Sequence, residues 1–64
     1  MKTKEIPLYS ILQGGANGVS VSMQYTYSDA VRACRAFSVS HPNVPFCVMV
    51  SGRPIFTMTT PRAA

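Results

Sequence analysis

Residues 19–40 read VSVSMQYTYSDAVRACRAFSVS, and the period of their apolar residues changes once along that stretch. Up to Tyr27 the pattern alternates. Val19, Val21, Met23, Tyr25 and Tyr27 fall on one side, and Ser20, Ser22, Gln24 and Thr26 on the other. A period of two is that of a half-exposed antiparallel strand, which makes Tyr25 and Tyr27 the rim of a core. From Ser28 onward the spacing is helical. Ala30, Ala33, Cys34 and Phe37 share one face, and Arg32, Arg35 and Val39 lie opposite. Ser28 suits the N-cap, and Asp29 in the first turn complements the helix dipole. Pro42 cannot continue a helix and disfavours a helical His41, so the helix should end near Ser40.

The flanks supply the rest of the sheet. Glu5 to Gln13 reads as a first strand, with Ile6, Leu8 and Leu12 on one side and Tyr9 and Ile11 on the other. Gly14-Gly15-Ala16-Asn17-Gly18 then offers positive-φ positions for a hairpin loop. Val44 to Val50 and Ile55 to Thr60 read as a terminal hairpin about a Gly52-Arg53 turn. That register sets Val50 against Ile55, Val48 against Thr57 and Phe46 against Thr59. On the reverse face Met49 meets Phe56, and Cys47 meets Met58. Pro54 suggests an edge strand. The expected fold is α+β: a small two-layer β-β-α-β-β domain, with an antiparallel four-stranded sheet and one helix packed on one face. Residues 1–64 form a single domain, with frayed tails at 1–4 and 61–64.

A chain of 64 residues buries only about 60% of its unfolded surface. Small domains therefore lean on disulfides, metals or self-association. Two cysteines, Cys34 and Cys47, allow one internal disulfide, but free buried cysteines also serve as small hydrophobes. Metal ligands are few and scattered, so neither a metal nor a cofactor is expected. Self-association as a homodimer is the expected supplement. The terminal hairpin is apolar on both faces and one helix covers only one, so Phe46, Val48, Met49, Phe56 and Met58 are the candidate contact residues.

The same scarcity bears on function. The chain holds one Asp, one Glu (Glu5) and one His. An acid, a base and an orienting group cannot be assembled from so few, so no catalytic residues and no enzyme are expected. The glycine loop leads into a strand and carries no Lys, unlike a phosphate cradle. Cys34 and Cys47 sit at core positions rather than in an electropositive, accessible site. Tyr9 is the tyrosine best placed for an exposed stacking role.

The net charge is +4, with Lys2, Lys4 and Arg62 towards the ends. Arg32 and Arg35 on the outer helix face, with Val39 beside them and Arg53 in the last hairpin, form the candidate partner-binding set, since Arg is enriched at binding hot spots. The expected function is a non-enzymatic protein-binding module that inhibits or modulates a larger host protein or nucleoprotein complex by occluding a surface. The alternative is a small basic nucleic-acid-binding protein. In size, in its start at Met1 and in lacking a catalytic set, the chain resembles small accessory proteins encoded by phages and mobile elements. Neither a signal peptide nor a membrane span is legible, which points to a cytoplasmic protein without membrane contact.

Overall fold

The structure, a computed structural model, describes residues 8–62. The elements are β1 (Tyr9–Gln13), β2 (Val19–Gln24), α1 (Tyr27–Ser40), β3 (Phe46–Val50) and β4 (Arg53–Met58). The four strands form one antiparallel sheet in the order β2-β1-β3-β4, and α1 crosses one face. The β-β-α-β-β order read from the sequence is the order observed. The Glu5–Pro7 part of the first strand, the expected frayed ends at 1–4 and 63–64, and Lys2 and Lys4 lie outside the described residues.

Helix α1 starts earlier than expected, because its cap is Thr26, two residues before Ser28. Thr26 is extended (φ −129°, ψ 153°), and its Oγ1 accepts from the Asp29 backbone N–H at 3.1 Å. That bond satisfies one of the orphan donors of the first turn. At the other end the His41 N–H donates to the Phe37 carbonyl at 3.0 Å, and Pro42 follows. Asn43 then takes a positive φ of 68° and turns the chain towards β3. Ala30 and Cys34 are fully buried, with Ala33 and Phe37 packed beside them, as the stripe predicts. The stripe also contains Ser38, which the apolar pattern missed. Ser38 is fully buried, and its hydroxyl meets the Thr60 hydroxyl at 2.6 Å. Thr60 is held again by the Asn43 N–H on its carbonyl at 2.8 Å, and the Arg62 N–H donates to Asn43 Oδ1 at 3.2 Å.

The core lies between α1 and the two central strands. Ile11 from β1 and Phe46 and Val48 from β3 are fully buried against Ala30 and Cys34. Phe37 stacks on Phe46, with ring centres 5.8 Å apart and planes 20° apart. Tyr9 packs against this cluster and meets Tyr27 edge-on at 6.2 Å, so it is not the exposed tyrosine the sequence suggested.

Two expectations about faces are corrected. The first concerns β2. Ile11 pairs with Ser22, and Tyr9 with Gln24, so the polar residues Ser22 and Gln24 share the helix-covered side. Met23 (57% exposed) and Tyr25 are outside, not at a core rim, whereas Tyr27 opens α1 and meets Tyr9 edge-on at the margin of the core. The physical reason is that the central strands decide which face the helix covers. Ile11, Phe46 and Val48 offer far more apolar area than an edge strand, and β2 follows by register.

The second correction concerns the last hairpin. Its two-residue turn is Ser51-Gly52, with φ of 52° and 76°, the doubly positive pattern of a type I′ turn. Val50 therefore pairs with Arg53. A bulge between Val48 and Met49 then leaves Ile55 unpaired, so Val48 pairs with Phe56 and Phe46 with Met58. Phe56 and Met58 thus join Phe46 and Val48 under the helix. Of the five residues read as a self-association set, only Met49 faces away from α1. Phe46 and Val48 are fully buried in the monomer.

Candidate functional site

The site is built along the flank of α1 that borders β4. The positions flanking the core stripe, Ser28, Arg32 and Arg35 with Tyr27 and Val31, recur at helical spacing and look towards edge strand β4. Phe56 lies on the helix-facing side of β4 because of the Ile55 bulge, and it forms the floor. Tyr27, Ser28, Val31, Arg32, Arg35 and Phe56 together line an open groove of about 540 Å³. Arg53 lies on the same side of β4 as Phe56, in the pairing row nearer the turn.

Two of the four partner-binding candidates line this groove. Arg32 and Arg35 line the groove and are exposed, and Arg53 is exposed on the strand that borders it. Val39 is exposed on the helix but does not line the groove. The sequence reading missed Val31, Ser28, Phe56 and Tyr27 as lining residues. The signal for the helical ones was present, since Tyr27, Val31 and Arg35 follow one another at intervals of four. Nothing local marks Phe56, whose orientation depends on the bulge.

The groove combines apolar floor with cationic walls. Among the described residues there are four arginines and a single acid, Asp29 in the first turn of α1. A ligand here meets Phe56, Val31 and the Tyr27 ring below and two guanidinium groups beside it. Guanidinium is weakly hydrated and presents a planar fork that matches carboxylate or phosphate. A second, smaller depression between α1 and β2 is lined by Ser22, Gln24, Ala33, Ala36, Phe37 and Ser40, with no charge.

The other sequence candidates do not converge. No three His, Cys, Asp or Glu side chains among the described residues stand close enough to hold a metal ion. Cys34 and Cys47 are free thiols, and both are buried. Burial, and then the neighbouring Cys47, push the Cys34 thiol above its ordinary value, which disfavours the thiolate a nucleophile needs. His41 sits exposed beyond the helix end with its ring 5.9 Å from that of Phe46. Gly14 and Gly15 take positive φ in the β1–β2 loop, and the Gly14 N–H donates to the Pro45 carbonyl at 2.7 Å. That amide is spent on holding the loop against β3 rather than left for an anion.

Compared with protein-family models, with curated proteins and with solved structures, the chain matches none. No helix among the described residues is long and apolar enough to cross a membrane.

Proposed function

We propose that this protein is a non-catalytic binding module that occludes an acidic, partly apolar surface of a larger host protein. The observation that carries the reading is the groove between α1 and β4, where Arg32 and Arg35 flank Phe56 and Val31. Apolar contact supplies affinity once water is excluded, and the arginines select a partner with carboxylates in register. Catalysis has little to work with, because the groove is lined by no His, Cys, Asp or Glu. In scale and composition the module suits a cytoplasmic accessory protein of the kind phages and mobile elements encode.

A groove with arginine walls and aromatic floor also suits a nucleic-acid strand, so the test includes one. Isotope-labelled protein is titrated with a glutamate-rich peptide containing leucines, and separately with a mixed-sequence single-stranded oligonucleotide. The peptide should shift the amides of Val31, Arg32, Arg35 and Phe56 and still bind at physiological salt. Oligonucleotide binding, being dominated by counterion release, should fall steeply as salt rises. The reading is overturned if the oligonucleotide binds the groove more tightly than the peptide at physiological salt. It is equally overturned if the peptide shifts residues elsewhere.

A further inference from the structure

We infer that the segment of the host protein that enters the α1–β4 groove is an amphipathic helix, with acidic residues one turn apart beside an apolar strip. This rests on the groove being the partner site, and adds the kind of element that fits it. What decides is how little the groove walls offer to an incoming backbone. Past its first turn α1 uses its N–H and C=O groups within its own helix, Tyr27–Ser40. The opposite wall is β4, which pairs with β3 alone and so has a free edge. That edge is spoiled for strand addition. Pro54 brings no N–H, and Ile55 is the extra residue of a bulge directly before Phe56, which breaks the even run of outward N–H and C=O groups.

An extended segment laid here would set its own N–H and C=O groups against Phe56, Val31 and Tyr27 with no partner, and an unpaired buried backbone group is costly. A helix brings those groups already bonded to one another. It needs only side-chain contacts from the groove, and those are what the groove has. Val31 and Phe56 are half-buried and Tyr27 is 49% exposed, so apolar surface remains uncovered beside the core. Ser28 and Val31, neither of them bulky, let a second helix lie along this flank of α1 at about 8–10 Å between axes.

Charge sets the pattern on that helix. Arg32 and Arg35 line the groove and no acid does. The two arginines stand within one turn of α1. Residues at i and i+3 or i+4 of a partner helix have Cβ atoms about 5–6 Å apart, so one carboxylate meets each guanidinium in the fork geometry that suits it. The lined stretch, Tyr27 to Arg35, runs about 12 Å along α1, which roughly two turns of a partner helix match. Those turns carry the acidic pair on one strip and leucine-type residues on the adjoining strip, over Phe56 and Val31.

Two peptides separate this inference from the groove reading beneath it. One is alanine-based, about 16 residues long, with Leu and Glu each repeated at i, i+4 on adjoining strips, long enough to form helix. The other carries proline in place of two interior alanines, which keeps the Leu and Glu side chains and forbids the helix. Each is titrated into the isotope-labelled full chain. The helical peptide should shift the amides of Val31, Arg32, Arg35 and Phe56 and gain helical circular dichroism on binding. It should bind at least about tenfold more tightly than the proline peptide. Replacing its Glu by Gln should weaken it at least about tenfold. Equal or tighter groove binding by the proline peptide overturns the inference and leaves the groove standing as a site for an extended acidic segment. New hydrogen-exchange protection of β4 amides, the mark of strand addition, does the same. A Gln peptide that binds equally overturns it as well, since the acidic pair is part of it. If neither the helical nor the proline peptide shifts the groove amides at millimolar concentration, the groove reading itself fails and the inference falls with it.

Discussion

Truncating Phe37 to Ala measures how α1 is held to the sheet. The ring is half-buried and stacks on Phe46 at 5.8 Å. A phenylalanine offers roughly 150–250 Å² of surface, of which about 100 Å² is lost to Ala at this half-buried site. At about 25 cal/mol per Å² that is about 2.5 kcal/mol, and the lost ring pair adds a fraction of 1 kcal/mol. No closed cavity remains at a position open to water on one side, so the cost stays below the 3–5 kcal/mol typical of a fully enclosed Phe. The expected loss is about 2–3 kcal/mol. For a domain of this size that corresponds to a fall in Tm of roughly 10–20 °C. Urea denaturation followed by far-UV circular dichroism reads it at fixed low concentration, where self-association does not contribute. Phe37→Leu should recover more than half of the loss. Val39→Ala, two residues on and 63% exposed, should stay within about 0.5 kcal/mol of wild type. Equal losses at Phe37 and Val39 would mean that the helix is rotated from the orientation described, and would refute the reasoning.

Three further outcomes follow from the packing. Ser38→Ala should cost about 1–2 kcal/mol, because it strands the Thr60 hydroxyl that now meets Ser38 at 2.6 Å; a double-mutant cycle with Thr60→Val should recover a coupling of at least about 0.5 kcal/mol. Gly18→Ala drives its new methyl into the Gln13 carbonyl, where only backbone could yield, and should destabilise by about 1–3 kcal/mol in the same denaturation assay. The Cys34 thiol is raised by burial and then by Cys47, so the unfolded chain loses this proton at lower pH than the folded one. Its contribution is complete below the ordinary thiol range and is lost as the pH climbs through that range towards the raised folded value. Cys34→Ala should flatten this part of the alkaline decline in a stability–pH series, and an unchanged slope would contradict it.

Much of the architecture is legible in the residues. The change of period at Ser28 and the Pro42 stop locate α1 to within two residues of Tyr27–Ser40, and the glycine-rich loop separates β1 from β2. What local pattern does not carry is the choice of face. The alternation of β2 is clear, but only Ile11 and Tyr9 on the neighbouring strand decide that Ser22 and Gln24 go inward. In the last hairpin the positive φ of Ser51 displaces the turn by one residue, and the Ile55 bulge is the second irregularity. Together they turn Phe56 and Met58 towards the helix, which converts two supposed outer contacts into core and groove floor. The arginines were identifiable from helical spacing alone. Their relation to Phe56 required the sheet register, a long-range property.

The central claim is that the arginine-lined groove is the surface that meets the larger host protein. Photo-crosslinking in cells that naturally express the chain tests it most directly, with benzoylphenylalanine placed at Ser28 in the groove or at Ala16 in the β1–β2 loop. Both positions are exposed. The account predicts a discrete protein adduct from Ser28 and none from Ala16. That adduct should disappear when Arg32→Glu and Arg35→Glu are introduced together in a chain that keeps its helix signal. An adduct of equal yield from Ala16, an adduct to nucleic acid, or a Ser28 adduct indifferent to the arginine reversals would contradict it.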